Sequence, residues 1–191
     1  MSIEKYLIDH CASTLASLKM ANMFNMDYEC EQDLFAHLRA WNEELNSKGV
    51  FVTVLRLREG GCDRSRRTAL IYVYRAKYLA AALSSPETAA FLQKYGYDEG
   101  LTVAEALTRL REHMAEEDFP HEIGVFLGYP LADVIGFIEN GGRNCVCSGC
   151  WKVYCNQQEA EKMFCKIRKC RTVYRQMWEQ GRSVLQLTVS R

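Results

Sequence analysis

Two runs of this sequence, VFVTVLRLR at Val50–Arg58 and TALIYVYR at Thr68–Arg75, are rich in β-branched and aromatic residues. Both are apolar on both faces for much of their length. A strand of that kind needs cover on two sides, not one. The pair therefore predicts a hairpin inside a small sheet with helices packed over it. Its connection begins Glu59-Gly60-Gly61 and carries Arg64, Arg66 and Arg67.

Helical periodicity supplies the cover. Leu34, Leu38, Trp41 and Leu45 recur at helical spacing within Cys30–Ser47, and Gly49 stands where a left-handed stop belongs. Further helices are expected over Glu4–His10, Lys77–Leu83, from Pro86 to Tyr95, and after Thr102, where Glu105 completes a capping box. HEIGVFLG and Pro130–Glu139 read as two short helices. Asn156 and Glu159 read as the capping box of a long last helix striped by Met163, Ile167, Cys170, Tyr174 and Met177. Part of Ala12–Met26 and the stretch WKVY (Trp151–Tyr154) read as strands. The sum is an α+β fold: a mixed or antiparallel sheet of three to four strands, mostly helical overall, in one domain over residues 1–191.

The net charge is zero, yet Trp151–Arg191 carries +6 and the rest of the chain −6. Because the basic stretch also bears a full apolar stripe, the reading is attraction between two parts of one domain. Aromatic residues are not interleaved with the exposed basic ones, which disfavours nucleic acid as a partner. Glu4, Lys5 and Asp9 break up the N-terminal stretch, and no segment approaches the ~20 apolar residues that span a bilayer. The expectation is a cytoplasmic protein in which the nine cysteines stay reduced.

Three constellations could carry chemistry. In NCVCSGCWKVYC, Cys145, Cys147 and Cys150 could give thiolates to zinc or iron, while a WKVY strand would carry Cys155 about 15 Å or more from Cys150. No second C-x-x-C pair or His pair supports that site, and the sequence requires no cofactor. Cys11 could be a nucleophile with His121 as base and Glu122 or Asn140 orienting it. Arg56 and Arg58, two apart on one strand, could join the arginine loop in holding an anion.

HCASTLASLK (His10–Lys19), YVYR (Tyr72–Arg75), FPHEIGVFLGYPLADVIGFI (Phe119–Ile138) and WKVY resemble a bacterial family described as a domain of unknown function, DUF3793. The resemblance covers nearly the whole chain. It departs from the expected pattern at Ser13 and Ala76, where proline is expected. It implies no activity. It does imply an anaerobic setting with flavodoxin-type gene neighbours, which suggests redox or iron physiology, and it implies that the cysteine cluster is not a family-wide metal site. The shared segments contribute His10, Cys11, Lys19, Arg75, His121, Glu122, Trp151 and Lys152. The leading expectation is a binding protein for a small anionic ligand or a protein partner, with His10, Lys19, Arg75, Trp151 and Lys152 about the ligand. The alternatives are a cysteine-nucleophile enzyme using Cys11, His121 and Glu122, and a thiolate metal protein.

Overall fold

The computed structural model describes residues 3–59, 67–116 and 119–190. Its centre is an antiparallel sheet in the order β1-β3-β2, made of Ala21–Tyr28, Arg67–Arg75 and Val50–Arg58. The middle strand β3 is buried from Ala69 to Arg75, as a strand apolar on both faces must be. Alternation divides its side chains. Tyr72 and Tyr74 enter one core, and Ala69, Ile71 and Val73 enter the other. A bulge between Val54 and Arg56 shifts the register of β2 against β3, so Leu57 packs on the second core with Val52, where plain alternation would have put it on the first with Leu55. Arg56 and Arg58 therefore flank an irregular edge, with Arg56 Nη1 donating to Met114 O at 3.2 Å. Gly60, Gly61, Arg64 and Arg66 lie outside the described residues.

Helices cover both faces. Against the second core pack α1 (Ile3–Leu15), α2 (Glu31–Leu45), the side chains of Tyr174, Met177 and Trp178 from α8 (Gln157–Glu179), and α9 (Val184–Leu187). Against the first pack α3 (Ala76–Leu83), α4 (Pro86–Gln93), α5 (Val103–Glu116), α6 (Ile123–Phe126) and α7 (Leu131–Glu139). The expected α2 stripe, Leu34, Leu38, Trp41 and Leu45, is buried. The Thr102–Glu105 box forms, with Thr102 N donating to Glu105 Oε2 at 2.8 Å. Gly49 adopts φ +74°, ending the short 3-10 turn Asn46–Lys48 and reversing the chain into β2. This is the α+β class read from the sequence.

Three local expectations are corrected, and one further helix, α9, adds to them. Helix α1 runs on to Leu15, so the strand content of Ala12–Met26 begins at Ala21. Asn156 sits at φ +51°, and from that backbone its side chain makes no cap bond; Glu159 pairs instead with Lys162 at 2.7 Å. The C-terminal stretch forms α9, closed by a reciprocal Ser183–Gln186 box and anchored by buried Val184 and Leu187. WKVY contributes only Lys152–Val153, as β5, paired with β4 (Cys147–Ser148) in a separate two-stranded hairpin.

No helix among the described residues is long and apolar enough to cross a membrane. An ion pair joins the acidic and basic parts of the chain: Arg175 Nη2 on α8 lies 2.6 Å from Asp9 Oδ1 on α1.

Candidate functional site

A cleft of about 450 Å³ opens between β1, the α6–α7 segment and the β4–β5 hairpin. The short helix α6 and the Gly128 turn bring Tyr129 to one side, and one turn of α7 brings Asp133 and Phe137 to the floor. The hairpin adds Cys150, Trp151 and Lys152 to the lining, with Trp151 against Tyr129. Phe119 and His121, preceding α6, form the lip.

The wall is rigid for identifiable reasons. Trp151 stacks on Tyr129 with ring centroids 5.2 Å apart and meets Phe164 of α8 edge-on at 4.6 Å. Its Nε1 donates to Asp133 Oδ2 at 2.8 Å. Asp133 Oδ1 accepts from the amides of Tyr154 and Cys155 at 2.8 and 3.0 Å, and from Cys155 Sγ at 3.3 Å. Burial alone would push this carboxyl up, but those four donors together hold it below the usual carboxylate range. Asp133 thus stays ionised and welds the hairpin to α7.

The positive groups are arranged more loosely. Lys152 is exposed, with Nζ donating to Gly142 O at 2.7 Å and lying 5.7 Å from the Phe137 ring centre. His121 is also exposed and meets the same Phe137 ring edge-on at 5.5 Å. Lys19, in the turn between α1 and β1, has its Nζ 4.8 Å from the centre of the Tyr129 ring. Burial pushes its pKa down to about 8, partly opposed by the Cys150 and Cys11 thiols.

A family model described as Protein of unknown function (DUF3793) matches residues 7–188. The chain belongs to that family. Comparisons with curated proteins and with solved structures found no match. In this DUF3793 chain the matched stretch contains every residue of the cleft.

Of the residues singled out from the sequence, His121, Trp151, Lys152 and Cys150 line the cleft, and Lys19 abuts its Tyr129 wall. Others lie elsewhere. Arg75 is 2% exposed and acts as a clamp on main-chain carbonyls. Its Nε donates to Thr14 O at 2.7 Å, and its Nη2 donates to Leu15 O and Val189 O at 2.7 and 2.8 Å. It closes the C-terminal end of α1, where carbonyls lack helical partners. His10 is exposed on α1 and stacks at 5.2 Å on Phe24 of the second core.

The expected Cys11–His121–Glu122 constellation does not assemble. Cys11 is fully buried among the apolar residues of the second core, and burial pushes its thiol up, away from the thiolate. Glu122 points to α5, with Oε1 2.6 Å from His113 Nδ1 and accepting from Tyr97 OH at 3.2 Å. Asn140, the other expected orienter, donates to Gly136 O at 2.8 Å. Nor do Cys145, Cys147 and Cys150 gather: among the described residues no group of three His, Cys, Asp or Glu side chains is arranged to hold a metal ion.

Asp133, Tyr129 and Phe137 were missed by sequence reasoning. The signal for Asp133 was available: a carboxylate in the apolar run LADVIGFI is out of place unless buried donors receive it.

Proposed function

We propose that this DUF3793 chain binds a small anionic ligand with a flat apolar body in the cleft between α7 and the β4–β5 hairpin. The observation that carries the reading is the composition of the cleft: Tyr129, Phe137 and Trp151 offer ring faces and edges, while Lys152 and His121 stand as donors at the same opening. A volume of about 450 Å³ falls in the range of small-molecule sites, which pair an apolar lining with a few polar groups. Aromatic surface would supply most of the affinity, and the cationic groups would select for negative charge.

The test is a titration of matched aromatic carboxylates and their neutral amides, followed by thermal shift and by amide chemical shifts. Carboxylates are expected to bind more tightly, with perturbations at residues 129–137 and 150–152. Replacing Lys152 with Met should weaken the carboxylates by up to about fivefold, the range for an exposed charge, and leave the amides unchanged. Equal binding of acids and amides, or perturbations mapping away from these residues, would end the reading.

A further inference from the structure

The two outer edges of the sheet are finished differently. Arg75 N donates to Met20 O at 2.9 Å, which sets the phase of the β1–β3 ladder. By strand alternation, even-numbered residues of β1 turn their amides and carbonyls to β3, while Met23 and Asn25 turn theirs outward. The same phase carried through β3 leaves Val52 and Val54 of β2 facing out, and both are plugged. Asn42 of α2 exchanges two hydrogen bonds with the Val52 main chain, each 2.8 Å, as a neighbouring strand would. Arg111 Nε donates to Val54 O at 2.9 Å. Nothing of the kind guards β1. Among the described residues, no group outside the sheet bonds to the main chain of Met23 or Asn25. Strand β1 also keeps register with β3 throughout without a bulge, and ANMFNMDY holds neither proline nor lysine, the devices that blunt a free edge. The edge is firm, because Asn22 Oδ1 accepts from the Ser13 and Thr14 hydroxyls at 2.9 and 2.7 Å, tying β1 to α1. Met23 belongs both to this edge and to the lining of the cleft, so the open edge runs into the cleft.

We propose that this edge and the cleft together take the C-terminus of an extended peptide, which adds to β1 as an antiparallel strand and ends with an aromatic residue in the cleft. The inference rests on the cleft reading above and names the ligand class. A peptide C-terminus combines an aromatic side chain, to meet Tyr129, Phe137 and Trp151, with an α-carboxylate, to meet Lys152 and His121. The direction follows from where the cleft lies. Met23 stands near the start of β1, so a peptide that passes Asn25 and then ends beside Met23 runs opposite to β1. Main-chain bonds to the edge supply affinity for any extended chain, and the cleft reads the last residue.

The experiment uses the full chain with acetyl-Thr-Val-Thr-Val-Phe, as free acid and as C-terminal amide, and with acetylphenylalanine, which can fill the cleft without forming a strand. Calorimetry reads affinity; amide hydrogen exchange and chemical shifts read position. The peptide acid is expected to bind on the order of tenfold more tightly than acetylphenylalanine, the worth of one or two net main-chain hydrogen bonds, and more tightly than its own amide. Exchange at the Met23 and Asn25 amides should slow with the peptide alone. N-methylating alternate peptide amides should abolish the gain in one phase and spare it in the other, because only one edge of the peptide faces β1. Asn25→Pro removes an outward donor without breaking the β3 ladder, and should reduce the peptide to the affinity of acetylphenylalanine. The N-methylated peptides decide the matter on the native chain even if that variant does not fold. If peptide and acetylphenylalanine bind equally, both perturbing residues 129–137 and 150–152, the strand inference is overturned and the cleft reading stands. If neither perturbs those residues, the cleft reading falls and the inference with it. Protection of Met23 and Asn25 that grows with chain concentration without peptide, together with a dimer in sedimentation, would assign the edge to a second copy and overturn the inference.

Discussion

The indole Nε1 of Trp151 donates a 2.8 Å hydrogen bond to Asp133 Oδ2, joining a two-stranded hairpin to a helix eighteen residues earlier in the chain. The hairpin strands are only two residues long each, too short to hold themselves together in water. Asp133, 3% exposed, supplies what the ladder lacks. Asp133→Ala leaves the Tyr154 and Cys155 amides and the indole without their acceptor. It should cost about 2–4 kcal/mol of stability, the range for losing charge-assisted bonds to buried donors. Chemical denaturation measures the loss. Trp151 emission should shift to the red as its ring leaves Tyr129 and Phe164.

The same carboxylate predicts a pH dependence. Its folded pKa lies below the unfolded value of about 3.9. The folded state therefore holds the proton less well than the unfolded chain. The stabilisation is fully present above the unfolded value and is lost as pH falls through the folded one. Asp133→Asn has nothing to titrate at this position. Melting temperatures of the native chain and this variant should differ most above pH 4 and converge in stronger acid. A gap that stays constant across that range would show that the carboxylate charge is not what binds the hairpin.

Arg75 illustrates a residue whose chemistry pointed one way and whose position pointed another. Its guanidinium reaches Thr14, Leu15 and Val189 carbonyls at once, so it links α1 to the C-terminal tail through the end of β3. Lysine has one nitrogen and cannot span these acceptors. Arg75→Lys should lower stability by about 2–4 kcal/mol, as expected when a buried hydrogen-bonded cation loses its geometry. The affinity of aromatic carboxylates for the cleft should not change. Loss of ligand affinity at full stability would reverse the assignment.

The cysteines should divide by burial. Cys150, Cys155 and Cys165 are exposed, whereas Cys11 is enclosed and its thiol is pushed up by burial. Iodoacetamide at neutral pH should alkylate the exposed set in the native chain and reach Cys11 only after unfolding. Cys155, pushed up by burial and by the Asp133 carboxylate, should react more slowly than Cys165. Peptide mass spectrometry over a time course reads the order directly. Early alkylation of Cys11 would restore it as a candidate nucleophile.

What was legible in the sequence was what local pattern controls. The stripe of α2 repeats with the helical period and burial follows it, and the apolar runs of β2 and β3, without alternation, announced strands covered on both faces. Helix α9 and strand β4 are shorter than any period, so nothing announced them, and of the expected WKVY strand only Lys152–Val153 forms. The site was partly legible. His121, Trp151 and Lys152 come from segments already singled out, but residue type alone could not separate Lys152 at an opening from Arg75 inside a core. That distinction arises when the sheet closes, because the C-terminal end of α1 meets the end of β3 and needs a donor there. Tyr129 was hidden in an apolar run, and Asp133, conspicuous there as a carboxylate, finds its donors only once the hairpin lies on it.

Gly136 sets how closely that hairpin can lie. A Cβ built on it would come within 2.6 Å of both Cβ and Cγ of Tyr154. Two effects oppose each other in Gly136→Ala. Alanine favours the interior of α7 by about 1 kcal/mol. Overpacking against a neighbour fixed close to its own backbone costs about 1–3 kcal/mol or more. Tyr154 cannot swing away cheaply, because its amide is bonded to Asp133 and the clash involves its first side-chain atom. The net expectation is a loss of about 1–2 kcal/mol, with the Trp151–Asp133 bond strained as the hairpin is displaced. In a Tyr154→Gly background the obstructing atoms are gone, and Gly136→Ala should become neutral or stabilising. A double-mutant cycle by urea denaturation measures that coupling. If alanine destabilises equally in both backgrounds, close approach of the hairpin is not the reason glycine stands at this position.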